Sequence, residues 1–324
     1  ISQCAQLAIG ALDEIEDFLP EAVRSKHDYP TMHQALVQLH QPADLDHAEN
    51  ARERLTFDEA FLLQSLLVLR RIELKKLNST SRKVVSGGLL DAFDQKLPFQ
   101  LTAGQIAVCK EIEADLAQPH PMHRLLQGEV GSGKTIVALR AMLAVVDSGG
   151  QAALLAPTEV LAAQHLRTIQ KLLGDLAQGG MLGSSEIATQ VTLITGSQNA
   201  ASRKEALALA ASGEAGIVIG THALLGESVA FKDLGLIVVD EQHRFGVEQR
   251  DALKSKATNP PHLLVMTATP ITRTVAMTVF GDLDVSTLRE LPLGRAPITT
   301  HVVPVLEKPG YLERAWSRIK EEVS

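Results

Sequence analysis

Aromatic residues make up only 3% of this 324-residue chain, so its core must be built mainly from Leu, Val, Ile and Ala. Positive charge is not in excess either. The formal net charge is −7, which excludes a domain-wide basic footprint, so any nucleic-acid contact must be local and can lean on backbone amides. Only two cysteines are present, Cys4 and Cys109, far apart and without metal-ligand spacing. That excludes a disulfide framework and fits a reduced, cytoplasmic compartment. There is no apolar run of about 18 residues, so no membrane span is expected. The start, Ile1-Ser-Gln-Cys4, lacks the basic-then-apolar pattern of a signal peptide. It also lacks an initiator Met and reads as the start of a fragment or a processed chain.

What is there is ordinary for a globular protein: 45% hydrophobic and 21% charged residues. Residues 1–96 read as helical. Thr31 with Gln34, and Thr56 with Glu59, have capping-box spacing ahead of apolar stretches. The second stretch turns basic at Arg70, Arg71, Lys75 and Lys76. Those charges either complement a helix C-terminus or, extended by Arg82 and Lys83, face a phosphate backbone. Residues 79–88, with Ser, Thr and paired glycines, read as a linker, and the Gly-rich stretch 174–185 as an exposed loop.

From about residue 98 the pattern changes. Short apolar runs at 124–127, 152–156, 191–195, 216–220, 236–240 and 263–267 alternate with helix-like segments such as 136–146 and 159–173. Strands that are apolar throughout, joined by helices, indicate an α/β fold with a parallel sheet covered on both faces. Ligands of such sheets bind at the carboxyl ends of the strands.

Gly128-Glu-Val-Gly131-Ser132-Gly133-Lys134-Thr135 follows one such strand and opens a helix. It matches G-x-x-x-x-G-K-[ST] at every fixed position. The glycines let several N–H groups converge, and the helix adds its positive end, which together make an anion cradle. Lys134 would reach the β- and γ-phosphates, and Thr135 would offer its hydroxyl to Mg²⁺. Downstream, the strand 236–240 delivers Asp240 and Glu241 at its carboxyl end. Asp240 is placed to hold Mg²⁺ and Glu241 to orient and deprotonate an attacking water. The expected cofactors are therefore ATP and Mg²⁺. A GTPase-type switch would need an Asn-Lys-x-Asp base reader, which the chain lacks.

Asp240-Glu241-Gln242-His243 resembles motif II of the superfamily 2 DExH helicases and translocases. Other segments resemble that family's remaining motifs in order. Leu101-Thr-Ala-Gly-Gln105 is similar to the Q motif, where the Gln amide can read adenine. Ala156-Pro157-Thr158-Glu159, Thr195-Gly196 and Gly220-Thr221-His222-Ala223 are similar to backbone-phosphate contacts. Thr267-Ala268-Thr269 is similar to motif III, which couples nucleotide state to nucleic acid. Singly, a Thr after a strand is often just an N-cap; the ordered set carries the resemblance. The surroundings, Asp240–Val247, Met266–Arg273, Asp282–Asp284 and Leu291–Arg295, are closest to the branch of the family that remodels branched DNA. Phe57–Arg71 is similar to the helix that joins that branch's wedge domain to its motor. Transcription-repair coupling translocases are the runner-up, but they usually carry Glu where this chain has Gln242. A non-catalytic nucleotide-binding fragment is a further alternative. The resemblance implies a RecA-like P-loop lobe at 97–295, preceded by a helical wedge tail and linker at 1–96 and followed by the start of a truncated second lobe at 296–324. It implies catalytic roles for Lys134, Asp240, Glu241 and His243, branched or duplex DNA as partner, a bacterial cytoplasmic setting and a monomeric motor.

Overall fold

All six apolar runs become strands: β1 (His123–Gly128), β2 (Gln151–Leu155), β3 (Gln190–Ile194), β4 (Ala215–Gly220), β5 (Leu234–Asp240) and β6 (His262–Thr267). A seventh, β7 (Asp284–Leu288), lies outside the expected set. These come from a computed structural model that describes residues 2–11, 15–179, 187–240, 253–268, 283–290, 300, 302, 306, 308 and 310–323. The strands form one sheet in the order β3-β4-β2-β5-β6-β1-β7, with every pairing parallel.

Successive side chains alternate between two buried layers. Ala152, Leu154, Leu236, Val238, Leu264 and Met266 face one core. Ala153, Leu155, Ile237, Val239, Leu263 and Val265 face the other. The first core lies under α5 (Leu89–Lys96), α6 (Ala103–Leu116), α7 (Lys134–Asp147) and α8 (Glu159–Leu173). α9 (Ala200–Ser212) covers part of the second through Ala206 and Ala210. Edge strand β7 pairs with β1 alone, buries Ser286 and Leu288, and leaves Val285 and Thr287 exposed. A five-residue alternating segment at an edge needs no continuous apolar run, so composition does not reveal it.

The amino-terminal part is helical: α1 (Ser2–Gly10), α2 (Glu21–Lys26), α3 (Met32–His40) and α4 (Leu45–Lys76). The capping box at Thr31 and Gln34 forms in both directions. The one expected at Thr56 and Glu59 does not. A single 32-residue helix runs through it from its N-cap Asp44, whose carboxylate accepts from His47 N–H at 2.8 Å. Within the helix Thr56 Oγ1 donates back to the Arg52 carbonyl at 2.9 Å, the outlet for a mid-helix threonine. Arg54, on the buried face of this helix, is fully buried. It donates to Asp17 at 2.6 Å and to the Pro30 carbonyl at 3.2 Å, and pairs with Asp58 one turn on.

Residues 79–88 are irregular but pinned. Arg82 N–H donates to the Leu116 carbonyl at 2.7 Å, and Ser79 Oγ to the Pro260 carbonyl at 2.7 Å. The Arg82 guanidinium is only 2% exposed and pairs with Asp233 at 2.6 Å, which corrects the expectation that it could face a phosphate backbone. Arg71 pairs with Asp284 at 2.5 Å. In the Gly-rich stretch, Gly174–Ala177 is a 3-10 turn that buries Leu176, so its first residues are not an open loop; 180–185 lie outside the described residues. Compact packing divides the chain into Ile1–Glu290, which holds all of the above, and Leu291–Ser324, whose described residues include α10 (Gly310–Val323).

His262 closes the linker onto the sheet. Its Nδ1 accepts from Met122 N–H at 3.0 Å, and its Nε2 lies 3.1 Å from the Thr80 carbonyl. These partners select the neutral ring protonated on Nε2. Burial pushes its pKa down to about 4 from the usual 6.5. A depressed folded pKa means that the unfolded chain takes up the proton first. The stabilisation is therefore complete above pH 6.5 and is lost as pH falls towards 4. The loss is about 3 kcal/mol, and we expect His262→Gln to remove most of that acid slope in urea melts recorded from pH 7 to 4. Arg54→Ala should lower stability by about 3–5 kcal/mol, because it strands buried carboxylates, as read from the urea midpoint.

Candidate nucleotide and nucleic-acid site

Because the sheet is wholly parallel, each strand hands its following loop to the same edge. Register orders those loops. Asp240 lies beside Met266, and Met266 beside Leu126. The loop after β1, Asp240 on β5 and Thr267 on β6 thus occupy one half of the rim. On the other half Leu155 lies beside Gly220, and Gly220 beside Ile194. This brings the segments beginning at Ala156, Thr195 and Thr221 together.

The loop between β1 and α7 is wound by two left-handed glycines, Gly131 at φ 84° and Gly133 at φ 86°, a conformation that other residues enter only at a cost. Gly133 is the N-cap of α7, so Lys134 and Thr135 start the helix. Lys134 Nζ donates to the carbonyls of Gly128 at 2.7 Å and Glu129 at 3.0 Å, folding back across the loop. Thr135 is half-buried at the helix N-terminus, where peptide N–H groups and the helix dipole favour anions. The Ser132 hydroxyl is buried with no hydrogen-bond partner among the described residues.

Gln105 sits against this loop. Its Nε2 donates to the Ser132 carbonyl at 2.9 Å, while its Oε1 accepts from Thr102 N–H at 2.9 Å to close the α6 capping box. A Cβ on Gly133 would run into the Gln105 amide. Both ends of the amide are thus engaged inside the protein. In this structure Gln105 braces the loop, with one amide N–H and one oxygen lone pair used in doing so. Glu290, just after β7, accepts from Gly104 N–H at 3.0 Å, and this bond holds its carboxyl below the usual range.

Asp240 ends β5 with its side chain largely buried, and His165 Nε2 on α8 lies 2.8 Å from its Oδ2. Thr267 is buried at the end of β6 and Ala268 follows it. Glu241, His243 and Thr269 lie outside the described residues.

On the other half of the rim Thr158 caps α8, its Oγ1 accepting from Leu161 N–H at 3.3 Å, with Pro157 just before it. Gly196 and Ser197 turn their N–H groups to one Glu159 oxygen at 2.9 and 3.1 Å, and Ser197 Oγ donates to the other oxygen. These bonds, Ser197's first, hold the Glu159 carboxyl below the usual range. The Gly196 amide, expected to meet a phosphate, is engaged in this structure by the Glu159 carboxylate. Thr195 is buried and its carbonyl accepts from Arg203 at 2.9 Å. Gly220 and Thr221 are buried, the Thr221 hydroxyl has no partner among the described residues, and His222 is exposed.

The family model for DEAD/DEAH box helicases matches residues 102–278. The chain belongs to that family. It is 56% identical over 326 aligned residues to the ATP-dependent DNA helicase RecG of Mycobacterium tuberculosis strain H37Rv, covering 100% of this chain and 44% of that protein. It is 42% identical to RecG of Bacillus subtilis, covering 96% of this chain and 43% of that one. A solved structure of RecG bound to a three-way DNA junction superposes with a TM-score of 0.79 at 34% identity, covering 99% of this chain and 41% of that one. The chain thus spans less than half the length of these relatives. The likeness on motif II and its surroundings accordingly extends through the helical segment as well.

Two features of this sheet rim escape motif reading. His165 carries no motif of its own and is found only through its contact with Asp240. A cavity of about 580 Å³ lined by Pro98, Phe99, Leu101, Ile106 and Arg140 adjoins the start of α6, next to Gln105. Phe99 is half-exposed there. An exposed aromatic ahead of a helix could have been marked from sequence, but its cavity could not.

The brace has a measurable consequence. Gln105→Ala removes one helix cap and one loop contact, so it should cost about 1–2 kcal/mol of stability. It should also weaken binding of a fluorescent ATP analogue. Unchanged affinity together with an unchanged melting temperature would show that the amide braces nothing.

Proposed function

We propose that this chain is the first motor lobe of a RecG-type ATP-dependent DNA helicase that acts on branched DNA, such as replication forks and recombination intermediates. The observation that carries it is the division of one sheet edge between the glycine-wound β1–α7 loop with Asp240 near it and the loops that follow β2, β3 and β4. Extensive identity to RecG proteins supports the choice of helicase.

ATP phosphates seat on the amides of residues 131–135. Lys134 leaves the Gly128 and Glu129 carbonyls for the β- and γ-oxygens. The oxygen donors Thr135 and Asp240 form a hard set suited to Mg²⁺, which neutralises charge on the phosphates when bound. Glu241 orients and deprotonates the attacking water, and His243 completes the catalytic set. The Phe99-lined cavity receives the base. Pro157, Thr158, Gly196, Thr221 and His222, with Thr195 and Gly220 shaping their loops, hold the DNA backbone without reading sequence. Thr267, Ala268 and Thr269 link the two halves. The domain reading follows: a wedge tail and linker at 1–96, the lobe at 97–295 and the start of a second lobe from 296. The parent acts as a monomer in the bacterial cytoplasm. No helix among the described residues is long and apolar enough to cross a membrane.

An arginine finger from a second lobe is worth about 10³–10⁵ in rate in related enzymes. The purified chain should therefore bind ATP·Mg²⁺ weakly, turn over little and unwind nothing, whereas the parent should reverse model forks. Lys134→Ala should abolish nucleotide binding. DNA-stimulated turnover by this chain at the parent's rate would defeat the half-site reading, and undiminished binding by the Lys134 variant would defeat the P-loop assignment.

A further inference from the structure

His165 Nε2 lies 2.8 Å from Asp240 Oδ2, and both side chains are largely buried at 13% and 15% exposure. A carboxylate that ligates a cation with one oxygen rotates freely unless the other is held. The His165 ring holds it here. The histidine also has a defined place on its helix. It stands seven residues after the N-cap Thr158, two turns or about 10 Å along α8. The first turn of that helix is tied through Glu159 to Gly196 and Ser197 after β3. One α-helix therefore touches the backbone-gripping loops at its start and the cation-binding carboxylate two turns later.

We infer that His165 is a positioning residue that sets the Asp240 carboxylate for the cation and ties its orientation, through α8, to the loops that grip nucleic acid. This rests on the functional reading above and deepens it. An α-helix is stiff along its axis, so a displacement at Thr158 and Glu159 carries His165 with it, and the hydrogen bond carries the carboxylate. Groups that orient a metal ligand from outside the coordination sphere characteristically alter metal affinity or activity by 10–100-fold.

The test uses the full-length parent, comparing wild type, His165→Ala and His165→Gln, the last able to present an amide N–H near the position of Nε2. The first readout is the Mg²⁺ concentration that half-saturates binding of a fluorescent ATP analogue. The second is the ratio of ATPase rates with and without fork DNA. His165→Ala should raise the Mg²⁺ requirement about tenfold and lower the DNA stimulation, and His165→Gln should recover most of both. An unaltered Mg²⁺ requirement and stimulation in His165→Ala would overturn the inference. So would equal damage in both variants with a matching fall in melting temperature, which marks packing alone. Wild-type protein without Mg²⁺-dependent nucleotide binding would instead overturn the functional reading on which the inference stands.

Discussion

The parallel run of the strands is the constraint on which everything else depends. In a parallel sheet each strand must be followed by a crossover, so every loop that starts such a crossover emerges at one edge. Here β1, β5 and β6 bring Gly128, Asp240 and Thr267 to that edge, and β2, β3 and β4 bring the segments at Ala156, Thr195 and Thr221. Had any of these strands been antiparallel, its chemistry would have been delivered to the opposite side of the molecule. The sheet is buried on both faces by apolar side chains with little polar content, so the rim is also the place where polar groups accumulate.

Charge is managed differently inside and at the rim. Arg54, Arg82, Arg124 and Arg140 are each largely buried against carboxylates. Their charge is spent on holding elements together, not on attracting a polyanion. Arg124 binds Asp115 of α6 and the Ser286 hydroxyl of β7, which fastens the edge strand. So engaged, these interior arginines leave the chain's net charge of −7 without a buried reserve of positive charge for a polyanion. The Glu159 carboxylate already occupies the amides of Gly196 and Ser197, so a phosphate arriving there would have to compete with it or bind beside it.

The linker and the P-loop are both stabilised from a distance. Residues 79–82 are stitched to Leu116, Pro260, Asp233 and His262, so the helical segment is attached by specific bonds. Gln105 braces the β1–α7 loop from α6. The preceding residues 98–101 line the cavity beside it. A shift in α6 would therefore reach both the β1–α7 loop and the adjoining cavity.

The sequence by itself determined the six apolar strands, the P-loop and the carboxylate that follows β5, because each depends on local composition or on spacing within a few residues. The capping box at Thr31 was equally legible, since a cap is a bond between near neighbours. Thr56 had the same spacing and failed, because α4 gains more by continuing than by restarting, and its hydroxyl turned to Arg52. Tertiary structure alone decided the rest. β7 is a strand because β1 offers it an edge. Arg82 is a buried strut because Asp233, 151 residues away, faces it. Gln105 is a brace because the loop returns to within hydrogen-bond reach. His165 meets Asp240 because β2 and β5 are neighbours in the sheet. None of these contacts has a signature at short range, since each is made by strand order, and strand order emerges only when the whole chain packs.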